Sequence, residues 1–270
     1  MKKVLLALLA CSLFAGCTTS PTGRSQLMLI SPESAIVESK KAYISTVSEL
    51  GKEDKLVDDP KMADKVATIT GRLVTVAIEK FPNTANWEWS VASVDDPETV
   101  NAWCMAGGRM AVYTGLFEKL KLTDAEFAQI MGHEISHALA NHTAERMSRA
   151  MATSVGVVAV GVLADNKIAA MGGAAMAAKM ALELPNSRTA ESEADQMGME
   201  LAVRAGYDPD AAVTLWQKMG AQGGSKPPEF LSTHPAPGNR EAGLAAMIPT
   251  MRNINPTGKL APVHPVTIER

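Results

Sequence analysis

The sequence predicts an α+β fold, mainly helical, with a small sheet set beside one long helix. Three observations carry this. Apolar residues make up 46% of the 270 and aromatics only 4%, so the core is built from Ala, Val, Leu and Met, which suits helices better than stacked sheets. Several stretches repeat apolar residues at helical spacing behind capping residues. Between them lie three short extended runs, two of them flanking a glycine pair. The charged fraction of 20% and the net charge of −3 exclude wholesale disorder and leave no basic excess for nucleic acid to exploit.

The elements follow in order. Met1-Lys2-Lys3, an apolar run to Phe14, and Ala15-Gly16-Cys17 read as a secretory signal, too short to span a membrane. The segment resembles the Leu-Ala-Gly-Cys cleavage site of bacterial lipoproteins, with Phe14 where Leu is usual. Residues 1–16 are expected to leave and Cys17 to carry lipid; Cys11 leaves too short an apolar run to be the site. Removing Lys2 and Lys3 takes the charge from −3 to −5. Cys104 is then the one remaining thiol, a small buried hydrophobe that has no disulfide partner. Residues 17–30 read as a polar tether, 31–252 as a single domain and 253–270 as a Pro-rich tail.

Within the domain, Ser31-Pro32-Glu33 opens a helix to Leu50, with Pro at the first helical position. Asp59-Pro60 opens another to about Lys80. Trp87–Val94 reads as a strand. Val100–Met105 and Arg109–Thr114 flank Gly107-Gly108 as a hairpin. Thr123-Asp124-Ala125-Glu126 is a capping box at the head of the long helix. Two Ala- and Met-rich stretches, 151–164 and 167–182, are each too short to span a bilayer. They read as packed helices or as a lid over a site.

The long helix carries His133-Glu134-Ile135-Ser136-His137. Residues four apart share a helical face, so His133 and His137 offer two imidazoles to one ion, and neutral imidazoles suit Zn²⁺ at about 2.0–2.1 Å. Glu134 lies one step round, where a general base takes a proton from metal-activated water. A catalytic zinc keeps three protein ligands and an open position. In Ser187–Asp195, Glu191 and Asp195 are four apart on one face, while Glu193 points elsewhere. Glu191 is therefore the expected third ligand. Asp195 is expected to accept a hydrogen bond from the far nitrogen of a ligand histidine. His142 points off the ligand face, and His264 lies in the tail.

Four motifs give a family resemblance: the HExxH followed by Ala-Leu-Ala-Asn-His142; Ser187-Arg188-x-x-Glu191-x-x-Ala194-Asp195; Val100-Asn101-Ala102-Trp103 with Gly107-Gly108 and Val112-Tyr113-Thr114-Gly115-Leu116; and Ser232-Thr233-His234-Pro235 with Arg240. On these, and on Thr22–Leu27, the chain resembles the membrane-associated gluzincin metallopeptidases of family M48. These include HtpX-like and Oma-like members and lipoproteins of the LoiP kind. The resemblance spans about residues 17 to 250, with Ala106 where relatives often have Pro. It implies a gluzincin-type domain and one zinc per chain. Asn101, Ala102 and Trp103 become an edge strand that pairs with substrate backbone, an arrangement that main-chain hydrogen bonds support on general grounds. His234 is placed at the site, stabilising the oxyanion or capping the open position. Arg240 orients that loop or pairs with Asp195.

The expected function is a zinc endopeptidase for unfolded envelope proteins, held by its lipid at the periplasmic face of the outer membrane. Protein or peptide substrates and the membrane are the expected partners; nucleic acid is not, and the oligomeric state is left open. Two other readings stand beside it: a chaperone-like or assembly lipoprotein with a latent protease, and a zinc aminopeptidase.

Overall fold

The structure, a computed structural model, describes residues 16–163, 186–222, 228–235 and 238–270, with main chain alone at 154–163. The expected helix at 167–182 lies outside these residues. The chain divides into two compact units, one of residues 1–37 and 140–184, the other of 38–139 and 185–270.

In the first unit, β1 (Cys17–Thr19) pairs antiparallel with β2 (Ser25–Leu27). This hairpin occupies the stretch expected as a tether. Arg24 forks onto Glu145 at 2.8 and 2.7 Å, and Gln26 donates to the Ala140 carbonyl at 2.8 Å and to Glu145 at 3.0 Å. Glu145 sits on α5 (His142–Leu163), the helix that includes the first Ala- and Met-rich stretch. Cys17 is exposed. Among the described residues, no helix is long and apolar enough to cross a membrane.

The second unit is built around a helix that is buried on every side. Helix α1 (Pro32–Lys52) starts behind Ser31, whose Oγ accepts from Ser34 N–H at 3.2 Å, and lies in this unit from Glu38 onward. Helix α2 (Pro60–Lys80) starts behind Asp59, which accepts from Lys61 N–H at 3.0 Å. β3 (Ser90–Val94) is shorter than the expected strand because Trp87 and Trp89 are bound back to the Thr84 carbonyl. β4 (Ala102–Met105) and β5 (Arg109–Tyr113) form the expected hairpin, with Gly107 and Gly108 at φ +87° and +81°, a region that glycine enters without strain. Helices α3 (Thr114–Leu120) and α4 (Asp124–Leu139) follow. The capping box at α4 forms in both directions: Glu126 N–H donates to Thr123 Oγ1 at 3.2 Å, and Thr123 N–H to Glu126 Oε2 at 2.8 Å.

Helix α6 (Arg188–Arg204) is capped by Ser187, whose Oγ accepts from Ala190 N–H at 3.2 Å. Then come α7 (Asp210–Ala221), α8 (Glu229–Thr233) and α9 (Arg240–Arg252). The segment expected as a tail returns to the sheet. Ala261 N–H bonds the Ala205 carbonyl, His264 N–H bonds that of Gly71, and β6 (Thr267–Glu269) pairs parallel with β3. The strand order is β4-β5-β3-β6, with β3 parallel to β5, so β4 is an edge strand.

Helices α2, α6 and α7 and strand β4 surround α4. Phe127, Ile130, Met131 and Ile135 of α4 are fully buried against a core that includes Leu73, Met199 and Leu201. Helices α4 and α6 approach closely at one point. A Cβ on Gly132 would meet the Gly198 carbonyl oxygen at 2.7 Å, and one on Gly198 would meet His133 N at 2.6 Å. Two glycines thus let the helix carrying His133 lie against the helix carrying Glu191. Gly198→Ala should force the helices apart, lowering stability by about 1–3 kcal/mol and weakening metal retention. Thermal unfolding and zinc content of the purified variant check both.

Candidate active site

The site lies where α4, α6 and the segment after α8 converge. Donor atoms of His133, His137, Glu191 and His234 all fall within 4.8 Å of one another, and all four side chains are buried. The His133 and His137 rings meet edge to face one turn apart, with Nε2 atoms 3.0 Å from each other. Glu191, two turns before Gly198, reaches them from α6: Oε2 is 3.3 Å from His133 Nε2, and Oε1 is 3.4 Å from His137 Nε2. His234 Nδ1 lies 3.2 Å from His133 Nε2 and 3.1 Å from Glu191 Oε1.

These residues fit a metal ion. A tetrahedral ion with arms of about 2.1 Å holds its ligands about 3.4 Å apart, and the donor separations here run from 3.0 to 3.4 Å. Asp195 Oδ1 accepts from His133 Nδ1 at 3.0 Å, which leaves a lone pair on Nε2 facing the cluster. Glu191 Oε2 is buried with no hydrogen-bond partner, a cost that a cation between the donors removes. Imidazole nitrogens with one carboxylate are a zinc-type donor set.

The electrostatics agree. Burial alone would raise the Glu191 carboxyl, but the His133 and His234 imidazoles beside it hold it well below the usual carboxylate range. Burial opposes charge on His133, yet Asp195 and Glu191 outweigh it and lift the imidazole to about 9. These are acids and bases arranged for a shared positive charge.

Glu134 is one residue round from the donors. Burial pushes its carboxyl above the ordinary value, partly offset by His234 and His133. Its Oε1 lies 3.4 Å from His234 Nε2 and has no hydrogen-bond partner. The backbone of Cys104, on edge strand β4, lowers that carboxyl slightly. Cys104 itself is buried.

Arg240 lies between Asp195 and the His234 segment. Nη2 donates to Asp195 Oδ1 at 2.5 Å and Nη1 to the His234 carbonyl at 3.5 Å. Asn101 is buried, its amide donating to Glu229 at 3.2 Å while its Oδ1 has no partner. The Val100 carbonyl is taken by Phe230 N–H at 3.2 Å. Ala102 opens β4, and Trp103 packs edge-on to Tyr43 with centroids 5.9 Å apart. Glu193, also buried, is outside the donor cluster. Sequence reasoning missed the Gly132–Gly198 contact and Phe230, whose ring stacks on His234 at 4.4 Å. The spacing of four between Phe230 and His234 was the available signal for that stack.

Comparison with known proteins agrees with this geometry. The model of peptidase family M48 matches residues 60–248. The mitochondrial metalloendopeptidase OMA1 of Arabidopsis thaliana is 34% identical over 201 residues, covering 72% of this chain and 38% of the relative. Metalloendopeptidase OMA1 of Bos taurus is 30% identical over 254 residues, 90% of this chain and 48% of the relative. The β-barrel assembly-enhancing protease of Escherichia coli K12 is 29% identical over 197 residues, 69% of this chain and 39% of the relative. The chain thus spans less than half the length of each of these relatives. With the family model matching well over half of the chain, and the donor cluster lying inside that match or helping to frame it, the chain belongs to peptidase family M48, the metalloprotease family its HExxH helix pointed to.

Proposed function

We propose that this chain is a zinc-dependent endopeptidase that cleaves unfolded or misassembled envelope proteins. The observation that carries the reading is the buried convergence of His133, His137 and Glu191 next to a general base whose Oε1 has no partner. When bound, zinc polarises the scissile carbonyl and acidifies a water. Glu134 takes the proton at Oε1 and delivers it to the leaving amine, and burial, which raises its carboxyl above the ordinary value, makes it the stronger base for that exchange. Asp195 holds the His133 tautomer. Asn101, Ala102 and Trp103 offer β4's main chain to an extended substrate, which favours unfolded chains over any particular sequence.

Location follows from the proposed lipid on Cys17, after removal of 1–16, as in the lipoprotein branch of the LoiP kind. The β-barrel assembly-enhancing protease among the relatives supports substrates in the bacterial envelope, at the periplasmic face of the outer membrane. An active-site trap tests this: Glu134→Gln protein recovered from envelopes should hold unfolded envelope proteins with zinc in the same sample. Recovery of the variant with zinc but no such protein contradicts the substrate assignment.

His234 marks a second reading. Its Nδ1 stands at a fourth corner of the donor set, as a latent protease with a chaperone-like or assembly role would have it. We assign it instead to the oxyanion, its ring moving off that corner as substrate binds. His234→Ala should then lower kcat by about 10²–10³ with KM little changed. A rise in kcat would favour the latent form.

A further inference from the structure

Arg240 is a buried cation, its side chain 4% exposed, with few acceptors. Of its five N–H donors, Nη2 makes one short bond to Asp195 and lies 3.4 Å from His133 Nδ1, Nη1 makes one long bond to the His234 carbonyl, and Nε has no hydrogen-bond partner. Hydrogen bonds alone leave this guanidinium under-satisfied. What lies beneath it is Trp216 of α7, with Arg240 Cζ 3.5 Å from the ring centroid. An indole face attracts a cation, and more strongly away from water. Stacking also fixes the guanidinium plane, and so the direction in which Nη2 points.

That direction has consequences for the donor cluster. Asp195 Oδ1 is shared: it accepts from Arg240 Nη2 at 2.5 Å and from His133 Nδ1 at 3.0 Å. Where Arg240 places Oδ1, His133 must follow. The same Nη2 is 3.5 Å from Glu191 Oε2. A guanidinium free to tilt therefore has a second carboxylate in reach, one whose oxygen the metal needs. Leu215 and Leu244 also wall the space behind His133, but an aliphatic wall does not hold a cation's plane.

We propose that Trp216 is a positioning residue for the metal centre: its indole face seats Arg240 on Asp195 rather than on Glu191, and so fixes His133 for metal binding. This rests on the metal-site reading above.

The test measures zinc affinity of the full chain by competition with a chromogenic chelator, and the visible spectrum of its cobalt(II) form. Trp216→Leu should weaken zinc binding about 10–100-fold and broaden the cobalt bands, while Trp216→Phe should lose less. In an Arg240→Met background, Trp216→Leu should have no further effect. Equal affinities of the Phe and Leu variants, or a Leu effect undiminished without Arg240, would overturn the proposal. Should Trp216→Leu not fold, a fluorinated-tryptophan series at position 216 keeps size constant while draining the ring's π charge. A graded fall in zinc affinity is then expected, and a flat series overturns the idea. A parent chain that binds no zinc overturns the metal site itself; a parent that binds zinc, with identical Phe and Leu variants, overturns only the role of Trp216.

Discussion

Glu134→Gln is expected to lower kcat for peptide cleavage by about 10²–10⁴, the usual worth of a positioned general base, while the fold and the bound zinc remain. The side chain contributes nothing to the donor cluster, so its loss as a base leaves the ligands in place. Gln keeps the volume, so the buried carboxylate is replaced without a cavity. Burial already disfavours charge at this position, which makes the neutral amide easy to accommodate and argues for unchanged or slightly higher thermal stability. Steady-state cleavage of an unfolded protein, with zinc measured on the same sample, checks the prediction. An equal loss of zinc and of activity would mean that Glu134 is a ligand.

Glu191→Ala should have the opposite signature, with zinc lost first and activity lost in consequence. Its carboxylate faces two ligand imidazoles at 3.3 and 3.4 Å and His234 at 3.1 Å. Removing it leaves three imidazoles and the Arg240 guanidinium with one fewer anion among them. Zinc affinity should fall at least a hundredfold, more than outer-shell changes typically cost. Competition with a chelator gives the number. Proton linkage adds a check on the parent chain. In the ion-free site the His133 pKa is raised from 6.5 to about 9, so the stability this protonation contributes is complete below about 6.5 and is lost as pH rises through 9. Zinc must displace that proton, so its affinity should rise between pH 7 and 9. Titrations across that range read the slope.

The site was legible in the sequence wherever its logic was local. His133 and His137, and Glu191 and Asp195, are pairs spaced by one helical turn, and periodicity alone puts each pair on one face. The capping residues Ser31, Asp59, Thr123 and Ser187 sit where the helix starts form, because a cap is a bond across two or three residues. The glycine pair announced the β4–β5 turn for the same reason. What could not be read depends on contacts between distant segments. Residues 17–30 look like a polar tether until Arg24 meets Glu145, 121 positions later. Residues 253–270 look like a tail until β6 finds β3. Gly132 and Gly198 are unremarkable glycines within helices until the two helices touch. Trp216 is a residue of an amphipathic helix, and its role exists only because α9 lays Arg240 across it.

One zinc held by His133, His137 and Glu191, with Glu134 as base, is proposed to cut internal peptide bonds. Mass spectrometry of the products formed from unfolded casein tests it most directly, with zinc-loaded, chelator-treated and zinc-restored protein run in parallel. Fragments from internal cuts that disappear with the chelator and return with zinc are expected. Cleavage that survives complete metal removal, or products shortened one residue at a time from the amino end, would contradict it.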